Sequence, residues 1–227
     1  MQRGTLVAHE DRTALTEPFD GLLATPASRL PYQHNVLLRS YVLQRPTGNL
    51  IVYNSPGVSE AASAIARLGP PSRLLINHEH ESMYGQPELD VPLWIHRDDS
   101  GAVDRSLDIA GEFDGRAMID SDVEIIPTPG HTAGTCSYLW DNGSHRFLFT
   151  GDFIWVEDGE WKAVVLDPGL RDHYLDSLRL VRDLDFDILV PWGVTENDPP
   201  VSQVRDQADK RARIDAIIDR VAAGGSR

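Results

Sequence analysis

Three short stretches of this chain carry the residue types of a metal centre. His78 and His80 stand one residue apart at the end of the apolar run "RLLIN", His131 follows "PTPG", and Asp152 follows "FLFTG". In an extended segment residues two apart point to the same side, so His78 and His80 can reach one ion together. Neutral imidazole is a good ligand for zinc or iron, and a fixed carboxylate can bind the ion or hold its water. Pro129 and Gly130 can fold the chain sharply before His131, and Gly151 lets the backbone pass close to whatever lies beside Asp152. Such a set suits the activation of water.

The chain holds eight histidines, and the others lack this setting. His96 ends an apolar run without a neighbouring glycine and reads as structural. His9, His34, His145 and His173 belong to no pattern and read as surface or capping residues. The single cysteine, Cys136, cannot form an internal disulfide and reads as a buried, inert thiol.

Positioning these groups takes strands that end at one edge. "VLLRSYVL" (36–43) and "LIVY" (50–53) read as a hairpin around "RPTGN". Ser59 is expected to cap a helix with Ala61, Ala64, Ile65 and Leu68 on one face, stopped by Gly69 and two prolines. "RLLIN" suits a strand buried on both faces. "VPLWIH", "VEIIPT", "TCSYLW" and "RFLFTGD" follow at strand length, with Asp141-Asn142-Gly143 as a hairpin turn. Leu175, Leu178 and Val181 mark a helix, "FDILVP" a strand, and the residues from Val204 to Val221 a long amphipathic helix. Strands and helices alternate in each half, which predicts two packed sheets with helices outside.

Composition narrows the function. The 227 residues include 41% hydrophobic and 25% charged, with a formal charge of −14 and a pI near 4.8. That balance argues against a nucleic-acid footprint and against adhesion to anionic membranes, leaving a small molecule as the expected partner. No stretch approaches membrane-spanning length, and the opening residues lack a signal-peptide core, so a cytoplasmic location is expected. Nothing forces a domain boundary, and residues 1–227 read as a single domain. Nothing in the pattern speaks to the oligomeric state.

Taken in order, "NHEHESMYG", "PTPGHTAGTCSYLW" and "FLFTGD" resemble the metallo-β-lactamase fold superfamily of metallohydrolases, over roughly residues 41–194. The resemblance implies an α/β fold, an αββα four-layer sandwich of two mixed β-sheets flanked by helices. The family's first motif runs H-x-H-x-D-H. His78 and His80 match its first two histidines, Ser82 falls on the aspartate and Met83 on the third histidine. His131 matches the histidine of the second motif and Asp152 the bridging aspartate. The last family ligand, a histidine before glycine, is replaced by Trp192 before Gly193. The resemblance therefore implies at most one ion, on His78, His80 and His131 with Asp152, and it leaves Asp152 as the catalytic carboxylate.

Three functions are compatible with that set. The first is a mononuclear hydrolase, using zinc, that acts on a small ester, thioester or lactone. The second is a metal-free or metal-poor binding module of the same fold. The third is an iron oxygenase like the persulfide dioxygenases, whose two histidines and aspartate would correspond to His78, His131 and Asp152. Glu81 is expected to point away from the site, and Ser82 to donate a hydrogen bond without serving as a base. Trp192 is expected to fill the space of the second ion. Trp155 and Lys162 read as surface loop, and Gln86 to Val91 as a loop at the pocket.

Overall fold

The computed structural model describes residues 14–103 and 105–226. His9 lies outside the described residues. Alternation along the strands sorts side chains into layers. In the seven-stranded sheet, Leu50, Val52 and Leu75 face an inner core, while Ile51, Leu74 and Ile76 face outward. Val58, Ala61 and Ile65, and Val103 of the helix Arg97–Val103, cover that outer face. In the second layer Phe147, Phe149, Ile188 and Val190 face the inner core, while Leu148 and Leu189 face outward. The helices Arg171–Asp183 and Gln207–Ala222 cover them with Leu178, Val181, Ile214 and Ile217. The result is the αββα sandwich, and each fully buried Leu or Ile in it contributes about 1.5–3 kcal/mol.

Strand pairing in the first layer runs Thr16–Phe19, Leu22–Ala24, Tyr41–Leu43, Leu50–Val52, Arg73–Leu75, Leu93–His96 and Ile109–Phe113. Arg73–Leu75 pairs in parallel on both sides, as expected of a continuous apolar run. The second layer contains two hydrogen-bonded sheets, of six and five strands. Arg146–Gly151 pairs in parallel with Ile188–Pro191, and further along the same two chain segments Trp155–Glu157 pairs in parallel with Gly193–Thr195. Asp152 and Trp192 lie in the break between the two ladders. A layer interrupted there can aim side chains out of its plane, as bulged strands do beside active sites.

Two local expectations are corrected. The run Val36–Leu43 is not one strand: Gln33–Leu38 belongs to the five-stranded sheet and Tyr41–Leu43 to the seven-stranded one. The chain changes layers at Arg39 and Ser40, where Ser40 Oγ meets Ser55 Oγ at 2.7 Å. Only Tyr41–Leu43 forms the expected hairpin with Leu50–Val52. Likewise the helix begins at Pro56 after Ser55, not at Ser59, and is broken at Ala61 into Pro56–Glu60 and Ala62–Arg67. Proline at the first helical position, with its φ already fixed, sets the start. No described helix is long and apolar enough to cross a membrane.

Candidate metal centre

His78 follows the strand Arg73–Leu75 in extended backbone, and Glu79–Tyr84 then forms a 3-10 helix. His80 therefore sits in a helical turn, which corrects the extended reading. Across the inner core, His131 follows the strand Val123–Pro127 and Asp152 follows Arg146–Gly151. The four groups converge. Ligand atoms of His78, His80 and His131 lie within 4.8 Å of one another, the one such trio among the described residues. Asp152 Oδ2 stands 3.6 Å from His78 Nε2 and 3.8 Å from His131 Nε2.

Hydrogen bonds behind the rings fix which nitrogens face inward. His131 Nδ1 donates to the Val164 carbonyl at 2.8 Å, leaving Nε2 toward the cluster. His78 Nδ1 lies 3.0 Å from Asn77 Oδ1 and 3.5 Å from Glu81 Oε1. His78 Nε2 is buried and has no hydrogen-bond partner among the described residues. A buried polar atom left so is costly unless something binds it. His80 Nδ1 and His131 Nε2 meet each other at 3.0 Å, and three imidazoles so grouped, with a carboxylate beside them, fit zinc or iron.

Burial pushes the His78 imidazolium down, but the carboxylates of Asp152 and Glu81 outweigh it and hold its pKa up at about 10. Burial and the neighbouring charge of His78 lower His131 to about 3 and lower His80 as well. Asp152 is lowered despite its burial, because it faces His78. Two of the three rings are thus neutral and ready to ligate, and the third is paired with acids.

Several residues that the sequence reading passed over hold these groups in place. Buried Asp99, on the helix Arg97–Val103, accepts from Glu79 N at 3.0 Å, Thr132 Oγ1 at 2.6 Å and Gly134 N at 2.7 Å. It ties the His80 turn to the His131 loop. A Cβ on Gly134 would stand 2.6 Å from the Asp99 carboxylate, so glycine is needed there. Asn77 donates from Nδ2 to the Cys136 carbonyl, linking the two layers, and a Cβ on Gly151 (φ +57°) would collide with its side chain. Glu79 lies 3.7 Å from His80 Nε2. Nothing local in "HRDDS" or "IN" announces these contacts, which form between distant segments.

Glu81 is fully buried and accepts from Asn54 N at 2.6 Å and Asn77 N at 2.8 Å. It faces away from the cavity, as expected, but because of these bonds rather than strand alternation. His96 is a structural residue whose Nδ1 accepts from Asp98 N. Cys136 is buried in the inner core, and burial raises its thiol pKa.

A cavity of about 500 Å³ opens onto the cluster, lined at this end by Glu79, His80, Ser82, His131 and Asp152. Trp155 and Lys162 lie in the paired strands Trp155–Glu157 and Glu160–Lys162, which corrects the loop reading of both; Trp155 is buried in the cavity wall, whereas Lys162 does not line it and pairs with Glu157. Gln86 to Val91 do not line the cavity either.

A family model described as the metallo-beta-lactamase superfamily matches residues 61–194, more than half of the chain. The chain belongs to this superfamily. A hydroxyacylglutathione hydrolase of Erwinia tasmaniensis is 34% identical over 90 residues, which cover 37% of this chain and 34% of that protein. The match therefore spans about a third of that relative's length. Among solved structures, the DIM-1 metallo-beta-lactamase exposed to ceftazidime superposes with a TM-score of 0.63 at 13% identity, covering 89% of this chain and 96% of that one. The metallo-beta-lactamase GOB-18 of Elizabethkingia meningoseptica gives 0.59 at 13% identity, covering 98% and 96%. These likenesses concern the fold.

The resemblance of motifs sets Ser82, Met83 and Trp192 at the positions of a second ion. Met83 is 43% exposed at the cavity wall. Trp192 is buried in the inner core, its ring 5.4 Å from that of His78, and its Nε1 donates to the Asn54 carbonyl at 3.1 Å. It does not line the cavity, so it acts as filling rather than as a surface for substrate.

Proposed function

We propose that this superfamily member is a hydrolase that holds one metal ion, zinc, and cleaves a small ester, thioester or lactone. The observation that carries the reading is the convergence of His78, His80 and His131 within 4.8 Å, with Asp152 beside them, at the end of a cavity of substrate size. His78 Nε2, His80 Nδ1 and His131 Nε2 would hold the ion, with Asp152 beside it. A bound zinc ion would lower the pKa of its water to about 7 and polarise the scissile carbonyl. Asp152 Oδ2 would take the proton from the water as its oxygen bonds to the carbonyl carbon, and return it to the alkoxide or thiolate that leaves when the acyl C–O or C–S bond breaks. Ser82, on the same wall, donates a hydrogen bond that orients that water or the carbonyl. The partial likeness to a hydroxyacylglutathione hydrolase supports thioesters as one substrate class.

The test is a panel of small esters, thioesters and lactones with zinc-loaded protein and its His131→Ala variant. Metal-dependent turnover lost in the variant supports the reading. Turnover indifferent to His131 would sink it. Oxygen uptake with a persulfide that depends on iron would replace it with the oxygenase. Ligand binding unchanged by metal, without turnover, would leave a binding module.

A further inference from the structure

We infer that the substrate is uncharged and presents an apolar acyl chain to the cavity, and that anionic thioesters are discriminated against. The inference rests on the hydrolytic reading of the same site. The cavity is divided by chemistry. One end carries the imidazoles, Ser82 and the carboxylates of Glu79 and Asp152; the rest is mostly apolar, with Leu30, Val36, Leu38, Trp155, Val164 and Leu166, and its polar side chains, Tyr32 and Gln33, carry no charge. Leu30, Val36 and Leu38 come from the paired strands Ser28–Leu30 and Gln33–Leu38. Gly193 packs against Val36 and Leu38, where a Cβ would stand 3.0–3.1 Å from their side chains.

No lysine or arginine is among the described residues that line the cavity. Carboxylates and phosphates are recognised by guanidinium or ammonium groups, or by helix N-termini. The turn that borders the cavity, Glu79–Tyr84, starts with acidic residues and cannot serve as an anion site. His78 is buried between Asp152 and Glu81 and does not line the cavity. The formal charge of −14 adds a repulsive field. A substrate with a carboxylate on its acyl chain would bring that charge against a mostly apolar wall with no cation to pair with it. A glutathione thioester brings carboxylates on its leaving group, with no cation on the cavity wall to receive them. An alkyl chain fits the same wall and gains from each methylene it buries.

The experiment uses the zinc-loaded full chain. Acetyl, butanoyl and hexanoyl thioesters of N-acetylcysteamine are compared with the adipoyl thioester, which has the hexanoyl length but ends in a free carboxylate. Hexanoyl-glutathione tests charge on the leaving group. Binding of hexanamide and of adipic acid monoamide, followed by tryptophan fluorescence, gives a readout independent of turnover. We expect kcat/KM to rise roughly fourfold per added methylene. Either anionic thioester should fall at least about tenfold below its neutral counterpart, and hexanamide should bind more tightly than the monoamide, each a loss of the order expected for a buried, unpartnered charge. Leu166→Arg, at a side chain 57% exposed, should raise the adipoyl-to-hexanoyl ratio about tenfold by supplying the missing cation. Turnover that is independent of chain length, or that favours the anionic thioesters, overturns the inference and leaves the hydrolase standing. Absence of turnover with hexanamide still preferred overturns the hydrolase and leaves the ligand class standing. Preference for the charged amide overturns the ligand class whatever the turnover.

Discussion

His80 and His131 meet ring nitrogen to ring nitrogen, Nδ1 to Nε2 at 3.0 Å. One proton lies between them. His131 Nδ1–H is committed to the Val164 carbonyl, so neutral His131 accepts at Nε2 and His80 donates from Nδ1. An ion that takes both nitrogens must move that proton to His80 Nε2, on the side of Glu79. Nitrogen NMR of the histidines should therefore show His80 change tautomer when zinc is added, with His131 keeping its own. An unchanged His80 would mean that it is not a ligand.

Metal binding should also release a proton from His78. With its pKa held at about 10, the ring is charged at neutral pH, and an ion can bind Nε2 only by displacing that proton. Apparent zinc affinity should rise about tenfold per pH unit through neutrality. Calorimetry in buffers of different ionisation enthalpy should find about one proton released per ion. The metal-free protein has a matching stability profile. The raised pKa of His78 stabilises fully below about 6.5, and that contribution is lost as pH rises toward about 10. The lowered pKa of His131 acts in the other direction, costing stability as pH falls from about 6.5 toward about 3. These two rings together place a maximum near pH 6.5, which thermal melts across pH would locate. A metal-free profile flat between neutrality and about 10 would show that His78 is not held charged.

Glu81→Gln should be destabilising. The carboxylate accepts two buried backbone N–H groups on separate oxygens, from Asn54 and Asn77. An amide offers only one accepting oxygen, leaving one N–H facing another donor at a cost of about 1–3 kcal/mol. Urea unfolding measures it. A variant as stable as the parent would mean that the region rearranges to recover both bonds.

Asp99→Ala should loosen the site without touching it. Losing the carboxylate frees the His80 turn from the His131 loop, and metal affinity should fall by about 10- to 100-fold. Ser82→Ala is the contrast: it removes no ligand, so the metal should stay while turnover slows. Competition with a chromophoric chelator separates the two. Equal metal loss in both variants would contradict the assigned roles.

One tightly bound ion per chain is expected by elemental analysis, because Ser82, Met83 and Trp192 offer no second set of ligands. The triple change Ser82→Asp, Met83→His and Trp192→His should admit a second ion only at a stability cost. Removing a buried tryptophan costs up to about 3–5 kcal/mol, since the inner core cannot fully close around the gap. Two ions on the parent chain would overturn the assignment.

How much of this was legible beforehand follows from the range of the interactions involved. Strands such as Cys136–Asp141 and Arg146–Gly151 announce themselves by local apolar patterning and by the Asn142-Gly143 turn, where Gly143 takes φ +85°. His131 and Asp152 are visible because each closes a strand beside a glycine, and His78 because it and His80 stand one residue apart after an apolar run. The change of layer at Arg39 and Ser40 is hidden, since the apolar run continues through it and only pairing partners differ. Asp99 and Glu81 are hidden for a related reason. An acidic residue reads as surface unless its donors are known, and here those donors come from distant loops.

The joining of opposite layers at the centre has a mechanical consequence. His78 and His80 follow a strand of the seven-stranded sheet, whereas His131 and Asp152 follow strands of the sheet that faces it. Tyr53 crosses the same space, its hydroxyl donating to Val190 O at 2.6 Å and accepting from Gly151 N at 2.8 Å. An ion seated there is a rivet through the sandwich, and affinity for it is at the same time cohesion between the sheets. Loading should slow amide exchange in central strands of both layers together, and the charged pair of His78 and Asp152 is the weaker fastener that serves the protein without it.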